Sequence, residues 1–183
     1  MKEKNHPVKD YLFSYIEKSE KRFQELLSQT KFDKIISDIL ENCYYKVTLM
    51  DKKEESLAVF ATGILHYMLT GVMLPSQRKI EYKKVKIDIV IPDLKTLEND
   101  PKKTLIICIP NTLDKNFIKN KLKQILEIQP KKQNIWFVLN QDIKLECKTY
   151  VIKKENSTFS KIIYDIGNFV NVQGENKFKI LPV

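Results

Sequence analysis

Apolar residues recur every three or four positions along the first fifty residues of the chain. This spacing predicts one amphipathic helix over about residues 7–28 and a second helix that begins after Thr30. Thr30 with Asp33 resembles a capping box, in which side chains at a helix start bond to unpaired backbone N–H groups. Residues 45–49 then alternate between apolar and polar side chains, which predicts a short strand or an extended link before a polar turn at 51–55.

Residues 57–74 are apolar on almost every side, and their number reaches the lower limit for a membrane span. Thr62, His66 and Thr70, however, are four residues apart and therefore share one face of a helix. A lone lipid-exposed helix gains nothing from a polar face, whereas a helix packed on a sheet tolerates one beside solvent or a cleft. We therefore predict a buried helix of a soluble domain, capped by Ser56, and no membrane span.

After Pro75 the pattern changes to a period of two, which is typical of half-buried strands. Two strands, at about 79–83 and 85–91, predict a hairpin that turns through Lys83 and Lys84. Residues 105–109 are continuously apolar and β-branched, as expected of a central strand covered on both faces. The other predicted elements are a polar loop at 92–103, a helix at about 113–129, strands at 135–139 and 149–152, a final helix that begins at Ser157 or Thr158, and a short tail strand at 178–181.

These elements together predict an α/β fold, in which a mixed β-sheet is flanked by helices and preceded by an N-terminal helical arm. The arm comprises residues 1–50 and the α/β body residues 51–183. Tyrosines of the arm recur on the same helix faces as leucine and isoleucine, and they are Tyr11, Tyr15, Tyr44 and Tyr45. This mixture favours a helix–helix or dimer interface over a stacking platform for nucleic acid. The arm is therefore predicted to mediate self-association, as a homodimer, or the docking of a protein partner.

Glycine and cysteine, which build many ligand sites, are scarce in this chain. Its four glycines form neither a G-x-G pattern nor a P-loop, which excludes the usual phosphate-binding loops of nucleotide enzymes. The three cysteines are widely spaced and form no C-x-x-C pair, so that no zinc site is expected. The sequence therefore predicts no cofactor. The charged opening residues lack the apolar segment of a secretory signal, and we expect the reducing cytoplasm as the compartment.

The formal net charge of the chain is +9, and lysine supplies nearly all of the positive charge. A basic excess of this size favours nucleic acid, anionic lipid or an acidic protein as a partner. Lysine contacts phosphate as a mobile point charge, so that contact with the nucleic-acid backbone is expected rather than recognition of bases. Lys115, Lys119 and Lys123 form one stripe on the helix after Pro110 and are the candidate nucleic-acid contacts. The alternative is that the codon bias of an A+T-rich genome fills a solvated surface with lysine.

The order of elements over about residues 56–172, with an aspartate on the second strand, resembles the PD-(D/E)XK, or restriction-endonuclease-like, nucleases. In that family an aspartate on the second strand and a Glu-x-Lys on the third strand are the key residues. Their carboxylates hold a divalent metal and the lysine orients the attacking water, which implies metal-assisted phosphodiester hydrolysis. Asp88, within Lys-Ile-Asp-Ile-Val-Ile, takes the place of the family's aspartate. The third strand has Cys108 and Pro110 where the glutamate and the lysine belong.

This departure implies a degenerate active site, with Asp88 as a vestigial metal position, no catalytic residue and no metal. Glu81, Asp93 or Asp100 as replacement ligands, and a surface ion pair between Asp88 and Lys86, stay open as alternatives. The predicted function is that of a non-catalytic, nuclease-like protein that binds nucleic acid or a nucleic-acid-processing partner through a lysine-rich surface. The alternative functions are a protein-assembly subunit with no nucleic-acid role and a metal-dependent nuclease with relocated ligands.

Overall fold

The computed structural model describes residues 6–173 of the chain. Its α-helices are α1 (Pro7–Lys18), α2 (Glu20–Ser28), α3 (Phe32–Thr48), α4 (Lys53–Gly71), α5 (Leu94–Asn99), α6 (Lys115–Leu126) and α7 (Ile162–Val172). Its strands are β1 (Gln77–Tyr82), β2 (Val85–Ile91), β3 (Leu105–Cys108), β4 (Ile135–Leu139) and β5 (Lys148–Val151). Short 3-10 segments lie at Pro101–Lys103, Lys132–Asn134 and Thr158–Lys161. The predicted tail strand at 178–181 lies outside the described residues.

One five-stranded sheet, in the order β1-β2-β3-β4-β5, forms the centre of the fold. Strands β1, β2 and β3 pair antiparallel, whereas β3, β4 and β5 pair parallel. Every residue of β3 and β4 is buried, as their continuous apolar sequences predict. The predicted α/β class, a mixed sheet flanked by helices, is confirmed.

Helices cover both faces of this sheet and enclose two hydrophobic clusters. The first cluster lies between the sheet and helices α1, α3, α4 and α7. The second cluster lies between the opposite face and helices α5 and α6. On β3, Ile107 belongs to the first cluster and Ile106 to the second, because successive side chains of a strand point to opposite faces. The two clusters therefore fix which side of each strand is available to a surface site.

Helix α4 lies within the first cluster and confirms the prediction of a buried helix with one polar face. A Cβ atom built on Gly63 would lie 2.6 Å from Leu12 Cδ2, so that the absence of a side chain at this position lets α1 approach α4 closely. Thr62 and His66 lie on the partly exposed side of α4, where the Thr62 hydroxyl donates a 2.8 Å hydrogen bond to the carbonyl of Ala58. No helix within residues 6–173 has the length and apolarity that a membrane span requires.

Several element boundaries predicted between residues 7 and 56 differ from those of the structure. The helix predicted over 7–28 is two helices that meet at Ser19. The strand or link predicted at 45–49 belongs largely to the last turn of α3, in which Val47 is buried four residues after Cys43. Helix α4 begins at Lys53, and Ser56, the predicted cap, is buried inside it.

The capping box predicted at Thr30 does not form, because a distant residue takes its place. Thr30 has a φ of 55°, and the N-cap of α3 is Lys31, which makes no side-chain capping bond. Tyr164 from α7 donates from its hydroxyl to the Thr30 carbonyl at 2.6 Å and accepts from the Phe32 N–H at 3.1 Å. A tertiary contact thus supplies the cap that the local sequence was expected to supply.

The polar loop predicted at 92–103 contains a helix. Asp93 is the N-cap of α5, and its Oδ1 accepts a hydrogen bond from the Thr96 N–H at 2.7 Å. Leu97 is fully buried in the second cluster and holds the helix against the sheet. Two apolar residues, Leu94 and Leu97, are too few to show a helical period in a six-residue segment, which is why the sequence pattern indicated a loop.

The boundary between arm and body near residue 50 stays a prediction. Helices α1 and α3 pack on α4 within the first cluster, so that helices on either side of residue 50 share one hydrophobic cluster. Tyr11, Tyr15 and Tyr44 are partly buried against this cluster, whereas Tyr45 is 71% exposed. Three of the four tyrosines therefore contribute to helix packing within the chain, and self-association through the arm also stays a prediction.

Candidate nucleic-acid interface

The hairpin of β1 and β2 has an unusual backbone at the point where the candidate site lies. Lys83 and Lys84 have φ values of 49° and 66°, the left-handed conformation that a two-residue hairpin turn requires, and the predicted hairpin is confirmed. Lys79 also has a positive φ, 50°, although it lies within β1. Such a conformation in a non-glycine residue costs about 1–3 kcal/mol and is concentrated at functional sites. The pairing register places Lys79 opposite Asp88 of β2.

Asp88 lies where the side-chain alternation of β2 changes. Val85 and Ile87 belong to the second cluster, whereas Ile89 and Ile91 belong to the first. Residues two apart on a regular strand share a face, so that the change between Ile87 and Ile89 marks an irregularity at Asp88. This irregularity, opposite the strained Lys79, turns the Asp88 carboxylate toward a surface cleft instead of a cluster.

The Asp88 carboxylate is mostly buried and has a backbone partner. Its Oδ2 accepts a hydrogen bond from the Ile109 N–H at 2.8 Å, at the end of β3. Burial raises the pKa of Asp88 above its usual value, against the opposing effects of this hydrogen bond and of the charges on Lys121 and Lys79. The surface ion pair with Lys86, which the sequence left open as an alternative, is not formed among the described residues, although both side chains line the same cleft.

A cleft of about 510 Å³ opens in front of Asp88. Its walls come from α1, the start of α4, the β1–β2 hairpin, the end of β3 and helix α6. The charged residues that line it are Lys9, Glu55, Lys79, Lys86, Asp88 and Lys121. Four cations therefore face two carboxylates in this cleft, an excess that attracts an anionic ligand.

Lys121 connects α6 to the β1–β2 hairpin through a hydrogen bond beside the cleft. Its Nζ donates a hydrogen bond to the carbonyl oxygen of Lys86, thirty-five positions away in sequence. Its positive charge opposes the larger effect of burial, which raises the pKa of Asp88, and both side chains line the cleft. Lys121 is partly buried, and one hydrogen-bond position of its ammonium is already taken by the Lys86 carbonyl.

The stripe of Lys115, Lys119 and Lys123 lies on a different side of α6 from the cleft. All three lysines are exposed, and none of them lines the cleft. Phe117 and Lys121, four residues apart, are the α6 residues that face the cleft. At 3.6 residues per turn, these two side chains point roughly opposite to the stripe. The stripe as a nucleic-acid contact stays a prediction, and it forms no common surface with Asp88.

Comparisons with known proteins identify the architecture around this cleft. No family model matches the chain, and no curated protein shows detectable similarity to it. Among solved structures, the chain is similar to the restriction endonuclease PspGI, solved in a complex with its substrate DNA, with a TM-score of 0.60 and 15% sequence identity. The similarity covers 91% of this chain and 94% of that chain. The fold is restriction-endonuclease-like. At this identity the similarity establishes the fold and nothing about the chemistry of the cleft.

The resemblance noted from the sequence implies a divalent metal beside Asp88, and the two residues at the expected positions on the third strand, Cys108 and Pro110, do not carry the charged side chains of that pattern. Continuation of the β2–β3 register places Cys108 opposite Asp88. Burial raises the pKa of the Cys108 thiol well above its usual value, so that the thiol stays neutral and offers no charge to a hard cation. Pro110 has no polar side-chain atom. Within residues 6–173, no group of three or more His, Cys, Asp or Glu residues is arranged to hold a metal ion.

The replacement ligands left open by the sequence do not line the Asp88 cleft. Asp93 is the N-cap of α5, Asp100 lies 3.7 Å from the Lys103 ammonium, and Glu81 is exposed on β1. The structure instead brings Glu55, from the first turn of α4, to the cleft. One acidic residue at a helix start carries no signal in sequence, because most such residues interact only with the helix dipole.

Three cationic residues of the cleft, Lys9, Lys79 and Lys121, were also missed from sequence. Lys121 was overlooked because the regular Lys115–Lys119–Lys123 stripe dominates the pattern of α6. Its four-residue spacing from Phe117, an apolar residue that lies off the buried face, is the one local signal that a second face of this helix lines a cleft. Lys9 gives no such signal, since only the packing of α1 on α4 brings it to the cleft.

Replacing Asp88 with asparagine should raise the free energy of unfolding near neutral pH. Because the folded pKa of Asp88 lies above its unfolded value, the stabilisation from this group is present below the unfolded pKa and is lost as the pH rises through the folded pKa. Asparagine keeps an oxygen acceptor for the Ile109 N–H without the buried charge. Urea unfolding at about pH 7 and about pH 4 should show a gain for Asp88→Asn that shrinks at the lower pH. Asp142→Asn, at an exposed position, is the control, and an equal gain from both variants would contradict the prediction.

Proposed function

We propose that this protein binds nucleic acid through the lysine-lined cleft around Asp88 and does not cleave it. The observation that carries the proposal is the cleft itself, in which Lys9, Lys79, Lys86 and Lys121 surround one mostly buried carboxylate. A nuclease-like scaffold with this lining retains the cations that would contact a phosphate backbone and lacks the acidic set that would hold a metal. The site is accordingly a degenerate one, with Asp88 as its vestigial metal position, in a protein of the cytoplasm.

The similarity to PspGI supports the proposal because that endonuclease was solved on its substrate DNA. In this fold, we expect a phosphate backbone to bind to the surface around the Asp88 position. Asp88 in this chain has a structural role, as the acceptor for the Ile109 N–H, and this role requires no metal. The lysines act as point charges, so that binding should be largely independent of base sequence.

A salt titration of nucleic-acid binding tests the proposal directly. Affinity for a labelled oligonucleotide should fall steeply between about 50 mM and 200 mM salt, because each phosphate contact releases bound counterions. With the cleft lysines in contact, the slope of log affinity against log salt should be roughly −2 to −4. Lys121→Gln should reduce this slope by about one, and by a similar amount for unrelated base sequences.

Lys119→Gln is the matched control, since it removes the same charge from the opposite side of α6. An effect of Lys119→Gln alone would move the contact surface to the Lys115–Lys119–Lys123 stripe. Absence of binding at low salt would contradict the proposal as a whole. Plasmid nicking with magnesium or manganese that is lost in Asp88→Ala would instead reveal a nuclease with relocated ligands, for which Glu55 in the same cleft is the candidate.

A protein-assembly role is the second candidate function, and one observation favours it. Tyr45 and Leu49, at the end of α3, are 71% and 68% exposed. Exposed aromatic and aliphatic side chains one turn apart form a small apolar surface of the kind that protein interfaces bury. A protein that fails to bind nucleic acid but changes its mass on substitution of these two residues would have this role.

A further inference from the structure

A second cleft continues the first along the edge of α4. It measures about 470 Å³ and shares three lining residues, Lys9, Thr62 and Lys79, with the cleft in front of Asp88. Arg78 of β1 and His66 of α4 also line it. Burial and the charges of Arg78 and Lys9 lower the pKa of His66, so that the imidazole adds a neutral polar edge and not a charge at neutral pH. The two clefts form one groove, which is named the α4 groove below.

The α4 groove has a phenylalanine on each side of its shared centre. Phe117 of α6 lines only the first cleft, and Phe13 of α1 lines only the second. Phe117 is 48% exposed and does not belong to either hydrophobic cluster. An aromatic ring that is exposed to solvent beside cationic side chains is not stabilised by packing in a hydrophobic cluster. Its face is available for a planar group to stack on.

We infer that the α4 groove binds single-stranded nucleic acid, with a base stacked on Phe117 and the backbone along Lys79, Lys86 and Lys121. The inference rests on the proposed function and names the class of nucleic acid. Its elements are those that single-strand binding uses in general: a cationic groove that follows the backbone, and aromatic side chains that accept any base. Phe13 offers a second stacking position in the other half of the groove.

The arrangement fits a single strand better than a duplex. In a duplex the bases are paired and stacked on one another, so that no base face is free to contact Phe117. A single strand can turn its bases out of the backbone and place them on an aromatic ring. Clefts of about 510 and 470 Å³ have room for a nucleotide, and a single strand can place one there without breaking a base pair.

Binding of four labelled oligonucleotides by the full chain tests the inference at one fixed low salt concentration. The probes are a short oligo-deoxythymidine strand, the same strand paired with its complement, an abasic strand with the same phosphates, and the corresponding oligo-uridine. The deoxythymidine strand should bind at least about tenfold more tightly than the duplex and than the abasic strand. Phe117→Leu should weaken its binding by about 5-fold to 100-fold, the usual range for loss of one stacked base, and should leave abasic binding unchanged.

Tyr45→Leu, which removes an exposed aromatic ring outside the groove, is the matched control and should change no affinity. Equal affinities for strand and duplex, or equal effects of Phe117→Leu on the normal and abasic strands, would overturn the inference and leave nucleic-acid binding in place. Absence of binding to all four probes would overturn the proposed function itself. The oligo-uridine probe identifies the natural strand as RNA or DNA, and tighter binding of either one over the duplex supports the inference.

Discussion

Leu12→Ala should lower the free energy of unfolding by about 2–5 kcal/mol, the usual cost of removing a large aliphatic side chain from a rigid core. Leu12 of α1 is fully buried and packs directly on Gly63 of α4, where no side chain could fill the space that the substitution leaves. Urea unfolding followed by circular dichroism measures the change. Ser14→Ala, at an exposed position on the same helix, is the control and should stay within about 0.5 kcal/mol of the wild type.

Gly63→Ala provides the complementary test of the same contact. A Cβ atom at this position would lie 2.6 Å from Leu12 Cδ2, and overpacking of this kind costs about 1–3 kcal/mol, against a gain in helix propensity of about 1 kcal/mol. In the Leu12→Ala background the new methyl group has room. The double variant should therefore be more stable than the sum of the single effects predicts, by about 0.5–3 kcal/mol. Strict additivity would show that α1 is not held against α4.

This contact also decides whether the helices before residue 50 form a separable arm. If Leu12→Ala is as harmless as Ser14→Ala, the body folds without α1, as the sequence-based division predicts. A loss of several kcal/mol in a single cooperative transition would show that α1 and α4 unfold together. The shared first cluster favours the second result, because α4 would expose its apolar face without α1 and α3.

The sheet could be predicted from sequence because burial alone determines its pattern. In the β1–β2 hairpin, residues 80–87 alternate because one face packs on the second cluster, whereas Ile89 and Ile91 are buried in the first cluster. β3 and β4 lie between two layers of helices, and continuous apolar runs are the direct result. Elements whose ends depend on distant partners could not be predicted. The start of α3 is capped by Tyr164, a residue more than one hundred positions away.

The candidate site was only partly predictable for the same physical reason. Asp88 could be singled out because a carboxylate inside an apolar strand is conspicuous. Its orientation could not, since the irregularity that turns it depends on the backbone of Lys79 across the hairpin. Lys121 and Lys86 meet through a hydrogen bond between side chain and backbone, and a backbone acceptor has no signature in sequence. Because Lys115, Lys119 and Lys123 are regularly spaced on α6, the sequence favoured this exposed stripe as the candidate contact surface. The cleft was therefore missed.

Reversal of three cations of the α4 groove, with Arg78→Glu, Lys79→Glu and Lys86→Glu combined, should weaken nucleic-acid binding by at least about 100-fold. Each reversal replaces an attraction of about 1 kcal/mol with a repulsion of similar size at contact distance from a phosphate in water, and the three energies add. Screening by salt reduces this sum, so that about 100-fold is the smallest effect expected. The salt dependence should flatten at the same time, because fewer counterions are released. Fluorescence anisotropy with the single-stranded probe measures both quantities.

The matched control reverses Lys115, Lys119 and Lys123 to glutamate and so gives a variant with the same net charge. Long-range attraction, which depends on the total charge, changes equally in both variants, and a difference between them reports only local contact. Lys86→Glu places a carboxylate opposite Glu81 in the hairpin, and Lys79→Glu places one opposite Asp88, and each such pair costs up to about 1 kcal/mol of stability. Both variants are therefore compared at a temperature where their unfolding curves show complete folding. If the stripe variant loses binding and the groove variant keeps it, the phosphate contacts lie on the outer face of α6, and the groove beside Asp88 has no role in binding.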